Sequence, residues 1–88
     1  MNDAFIRTCK VYIDDGNLAG LQQCYAEIQS EFDYNWEYIF HRVYLHACLK
    51  KKKDIADWLT GMFGTLDPID QMSLRQIFPY GRYLLGKL

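Results

Sequence analysis

The sequence predicts an all-α fold, and three observations carry that reading. Apolar residues recur three and four apart along nearly the whole chain, with almost no two-residue alternation; that is the period of helices, not of strands. Turn and cap signals such as "DDGN" and "DP" divide the chain into segments of helical length. Half of the 88 residues are hydrophobic and 16% are aromatic, far from the composition of a disordered chain. About six short helices are expected, in a single domain over residues 1–88.

The first helix carries Phe5, Ile6, Cys9, Tyr12 and Ile13 on one face. "DDGN" closes it and offers Asn17 as a cap for the second helix, whose stripe is Leu18, Leu21, Cys24, Tyr25 and Ile28. "SEFDYN" reads as the next connection. Asn35 is placed to cap a third, longer helix, with Glu37 in its first turn, where a carboxylate complements the helix dipole. Its main stripe is Trp36, Ile39, Phe40, Val43, Tyr44 and Ala47. A fourth helix begins near Asp54 with Ile55, Trp58, Leu59, Met62 and Phe63 on one side, and Gly64 is suited to end it in a left-handed conformation. Asp67 followed by Pro68 signals a fifth start, with Ile69, Met72 and Ile77 facing inward. Pro79 is expected to break the chain before a last helix bearing Tyr83, Leu84 and Leu88.

Shifted by thirty-four places, the chain superimposes its own apolar stripes. Phe5 falls on Ile39, Ile6 on Phe40 and Cys9 on Val43, and in the second helices Leu21 falls on Ile55 and Tyr25 on Leu59. A third copy puts Leu74 on Phe40 and Ile77 on Val43. Such a period is that of stacked antiparallel helix pairs, the alternative being an irregular helical bundle. The third helix is apolar on two sides. Opposite its main stripe lie Tyr38, Leu45 and Leu49 with Arg42, so a second face is either covered by a further helix pair or open to another molecule.

"ACLKKKKDIADWL", residues 47–59, resembles the middle of an ankyrin repeat. Ala47 and Cys48 take its small positions at the end of the first helix, and Asp54, Ile55, Ala56 and Leu59 fit the start of the second. "GNLAGL", residues 16–21, is similar to the family's Gly-His-Leu-Glu turn, one residue out of step with the shift. Lys51 sits where the family's turn glycine belongs, and no Thr-Pro-Leu-His motif opens either first helix. The tetratricopeptide pattern fits worse, because Tyr44 occupies a site that needs a small residue. The resemblance spans residues 4–63 and implies an ankyrin-like α-solenoid fragment, from a family that binds other proteins.

Lys50, Lys51, Lys52 and Lys53 form a basic patch where the third helix gives way to its turn. Positive charge there complements the carbonyl end of the helix dipole. The other reading, extended by Arg42 and His46, is a contact for phosphates, which would be salt-sensitive and blind to base sequence. Ten basic residues against eleven acidic leave a net charge of −1, which weighs against a dedicated polyanion binder.

Other chemistry finds few candidates. His41 and His46 are five apart and diverge by about 140° on a helix, so they do not share a metal, and no Cys or carboxylate spacing completes a site. Cys48 lies near His46 without a third group to orient a base, and no phosphate-binding glycine loop occurs. The expectation is a non-enzymatic chain without cofactor, metal or small-molecule substrate. Cys9, Cys24 and Cys48, three cysteines at unpatterned spacings, read as reduced, buried thiols of an intracellular, cytoplasmic protein. Neither a leader peptide nor a membrane span is expected.

Aromatic residues are enriched at protein interfaces. Tyr38, Tyr80 and Tyr83 are the tyrosines least expected to be wholly buried, and the last helix ends with Leu84, Leu85 and Leu88, not with a polar capping face. Tyr38, Arg42, Leu45, Leu49, Tyr80, Tyr83, Leu84 and Leu88 are therefore the candidate partner-binding residues. The expected function is a protein–protein interaction module, a small adaptor, an inhibitor or an accessory subunit, that binds another protein or its own copy. The alternative is a small helical regulatory protein associated with nucleic acid through the basic turn.

Overall fold

A computed structural model describes residues 2–28 and 34–86, and these form six helices with no strand among them. In order they are α1 (Asn2–Asp14), α2 (Leu18–Ile28), α3 (Trp36–Leu49), α4 (Lys53–Phe63), α5 (Pro68–Leu74) and α6 (Ile77–Leu85). The all-α fold read from the periodicity is the fold observed.

Local chemistry sets most of the boundaries. Asn17 Oδ1 accepts the Gly20 N–H at 2.9 Å and caps α2, and Asn35 Oδ1 accepts the Tyr38 N–H at 3.1 Å and caps α3. Each bond satisfies one of the orphan amides of a first helical turn. The turns after α1 and α3 repeat each other bond for bond, thirty-five residues apart. Gly16 donates to the Ile13 carbonyl and Asn17 to that of Tyr12; Lys51 donates to Cys48 and Lys52 to Ala47. Both turns need one residue in the left-handed region. Gly16 supplies it at φ 68°, and Lys51 does so at φ 59°, where a side chain costs about 1 kcal/mol that glycine avoids.

α3 is the hub, packed against α1, α4, α5 and α6, while α2 lies on α1. Cys9, Ile13, Leu21, Ile39, Val43, Ala47, Cys48 and Leu59 have no exposed surface. The larger rings form two sets around them. Phe5, Tyr25, Trp36 and Trp58 join α1 and α2 to α3 and α4, with Tyr25 and Trp58 edge to face at 5.3 Å. Phe40, Tyr44, Phe63 and Phe78 join α3 to the end of α4 and the start of α6, with Phe63 and Phe78 edge to face at 4.8 Å. α6 comes close to α3 because Gly81 is opposite Tyr44 and Cys48. A Cβ at that position would lie 2.6 Å from Tyr44 Cε2 and 2.9 Å from Cys48 Sγ.

Five local expectations are corrected. Gly64 is right-handed, at φ −66°, and α4 runs out through i to i−3 bonds, Gly64 to Gly61, Thr65 to Met62 and Leu66 to Phe63, so no left-handed residue is needed. Pro68 does open α5, but the Asp67 side chain makes no capping bond. Ile69 and Met72 point outward, 77% and 72% exposed, because the two-turn helix is anchored by Leu74 instead. Pro79 lies inside the first turn of α6 and does not break it, since amides there have no intrahelical acceptor to lose. The break falls at Arg75 and Gln76. Cys24 is half-buried, not enclosed. Leu88 and residues 30–33 of the "SEFDYN" connection lie outside the described residues.

Candidate functional site

The second apolar line of α3 is only partly covered by its own chain: Tyr38 and Leu45 are half-buried, while Arg42 and Leu49 are exposed. Tyr38, Arg42, Leu45 and Leu49 are spaced four, three and four apart, which places them on one side of the helix. α1 packs along one edge of this line and α6 along the other, leaving a groove of about 380 Å³ with α3 as its floor. Tyr80 and Leu84 line it from α6, and Lys10 does so from α1. A shallower cleft continues between α1 and α3 past Arg7 to Asp3.

Of the eight residues assigned to partner binding from the sequence, the structure brings six into this one groove: Tyr38, Arg42, Leu45, Leu49, Tyr80 and Leu84. Tyr83 stands on α6 outside the lining, 61% exposed, and Leu88 lies outside the described residues. Leu49 is 60% exposed and Tyr80 55%, an arrangement that leaves two large apolar side chains in water within one concavity. Lone exposed apolar residues are common on any surface; several around one groove are less so.

Side chains are held in place around the groove. Tyr38 donates its hydroxyl to Asp3 Oδ1 at 3.2 Å, and the Arg42 guanidinium lies 5.2 Å above the Tyr38 ring. At the other end His46 Nε2 meets Asp14 Oδ1 at 2.8 Å, linking α3 to the end of α1. The hydrogen bond from His46, helped by the charges of His46, Lys50 and Lys52, holds the Asp14 carboxyl below its usual range. His41 and His46 both border the groove; the Asp14 contact is not visible in the sequence, because thirty-two residues separate Asp14 from His46.

Two of the four lysines in the turn are engaged within the molecule. Lys51 Nζ donates to the Leu84 carbonyl at 2.8 Å and so ties the turn to the end of α6. Lys53 Nζ pairs with Asp57 Oδ2 at 2.6 Å, one helical turn along α4. Lys50 is exposed and Lys52 half-buried. Lys51 thus braces the turn against the last helix and Lys53 is paired along α4, so two of the four charges are engaged within the molecule.

A smaller cavity of about 190 Å³ lies between α2, α3 and the turn into α5, with Tyr25, Trp36 and Phe40 as walls and Asp67 and Asp70 at its edge. Tyr25 and Phe40 are nearly enclosed, so little of either ring faces it. Among the described residues no group of His, Cys, Asp or Glu is placed to hold a metal ion. The three cysteines are free thiols, and burial pushes Cys9, Cys24 and Cys48 above the ordinary thiol range, so none is a ready thiolate. Among the described residues no helix is long and apolar enough to cross a membrane.

Compared with protein-family models, curated proteins and solved structures, the chain gives no match.

Proposed function

We propose that this chain is a non-enzymatic protein-interaction module, acting as a small adaptor, inhibitor or accessory subunit, and that the groove along α3 is where its partner docks. One observation carries the reading. Six residues assigned to partner binding from the sequence, five of them aromatic or apolar, come from two separate helices to line one concavity in which Leu49 and Tyr80 stay mostly in water. A partner that covers Leu49 or Tyr80 gains roughly 1.5 kcal/mol or more for each, enough to make either an anchor.

In this reading α1–α2 and α3–α4 are two ankyrin-like hairpins, with α5 and α6 standing in for a third pair. The repeated turn supports it, with left-handed residues at Gly16 and Lys51 and the same bond pattern after α1 and α3. The fit of α6 against α3 through Gly81 leaves the outer line of α3 open.

The test is affinity capture with the native chain and with Leu49→Asp/Tyr80→Asp. Both side chains are mostly exposed, so the double variant keeps its helical circular dichroism. Partners retained by the native chain and lost by the variant support the proposal. Partners retained equally by both refute it.

A further inference from the structure

The charge around the groove narrows what can occupy it. Lys10 and Arg42 line it, Arg7 adjoins it in the continuing cleft, and His41 and His46 stand at its border. Among the described residues no carboxylate lines the groove itself; the neighbouring Asp14 is bound to His46 and Asp3 to Tyr38. The result is an apolar trough with cationic edges, on a chain whose net charge is −1.

We propose, resting on the docking reading above, that the occupant is an acidic amphipathic α-helix of another protein. The line from Tyr38 to Leu49 runs for about 16 Å at the rise of a helix, three turns of a docked segment. The walls are helices whose side-chain ridges repeat at that same interval, so a helix offering apolar anchors at i, i+3 or i+4 and i+7 can interdigitate with them. A peptide added as a β-strand would need backbone partners from a sheet edge, and there is no strand among the described residues. A helix brings its backbone bonds with it. Glutamate or aspartate beside the anchors would meet Lys10 and Arg42 across partly dried contacts. A second copy docked groove to groove is disfavoured, because two-fold symmetry sets Lys10 and Arg42 against the same cations.

The experiment is selection from a displayed library of random peptides of about 16 residues on the immobilised native chain, with counter-selection on Leu49→Asp. The proposal expects groove-dependent winners with acidic residues flanking apolar anchors at helical spacing. Their affinity should fall about tenfold with Leu49→Asp and about threefold with Arg42→Glu, the latter loss shrinking at high salt. Groove-dependent winners that are basic, proline-rich or indifferent to Arg42 overturn the acidic-helix occupant and leave the docking reading standing. No groove-dependent winner overturns both. A fluorescent DNA or RNA duplex that binds the native chain and releases on Arg42→Glu also overturns the proposal, in favour of a nucleic-acid partner.

Discussion

Gly81→Ala is the substitution whose outcome follows most directly from the packing of α6 on α3. The new methyl carbon would lie 2.6 Å from Tyr44 Cε2 and 2.9 Å from both Tyr44 Oη and Cys48 Sγ. Carbon pairs are comfortable at about 3.5–4.0 Å, so roughly 1 Å must be found. Tyr44 is 3% exposed and Cys48 is fully enclosed, so neither can swing into solvent, and α6 has to lift. Overpacking of this kind costs about 1–3 kcal/mol, against which alanine recovers about 0.5–1 kcal/mol of helix propensity. The expected net loss is up to about 2.5 kcal/mol, a fall in Tm of up to roughly 20 °C for a domain of this size. Gly61→Ala is the matched control, on α4 with nothing within 4 Å of the added carbon, and it should gain about 0.5–1 kcal/mol. Thermal melts followed by circular dichroism compare the two. If Gly81→Ala stabilises as much as Gly61→Ala, α6 does not sit on α3 at this distance, and the wall it gives the groove is lost with it.

Further outcomes follow from particular contacts. Asn35→Ala should cost about 1 kcal/mol in urea denaturation, because it removes the bond that caps α3. Tyr25→Phe should raise stability by about 1 kcal/mol, since the Tyr25 hydroxyl is buried with no hydrogen-bond partner among the described residues and burial pushes its pKa well above the ordinary phenol range. The Asp14 carboxyl is held below its ordinary value of 3.8, so its pairing with His46 favours the folded chain above that pH and is lost as pH falls through the lowered value. Asp14→Asn should therefore match the native chain in strong acid and melt lower than it in the mildly acidic range above 3.8, where the Asp14 carboxylate is charged; equal melts at every pH would remove the contact from the account. Ile69→Asp and Met72→Asp should stay within about 0.5 kcal/mol of native, whereas Ile39→Ala should cost about 2–5 kcal/mol.

What the sequence made legible was whatever depends on neighbours along the chain. Asn17 and Asn35 cap their helices through amides three residues away, and the stripes of α1 to α4 follow from spacing alone. Lys51 was legible in a different sense, as a residue standing where a left-handed glycine was due. Misreadings cluster after Phe63, where the helices are short. Two turns of α5 carry too few apolar residues to fix its rotation, and Leu74 decided it over Ile69 and Met72. Pro79 looked like a breaker because its place within a helix depends on where the previous bend falls. The line Tyr38, Arg42, Leu45, Leu49 could be read as a second face, but whether α6 would cover it or wall it depended on Gly81 meeting Tyr44. Lys10 and the Asp14–His46 contact reach the groove by tertiary packing and left no sequence signal.

Site-resolved photo-crosslinking shows whether a partner docks in the groove along α3. A photoreactive phenylalanine analogue placed in turn at Leu49, at Tyr80 and, as a comparison, at exposed Asp57 on α4 would report which face a partner touches in the cell that makes this chain. Discrete adducts are expected from Leu49 and Tyr80, suppressed by Arg42→Glu, and none from position 57. Adducts from position 57 with none from the two groove positions would contradict docking there.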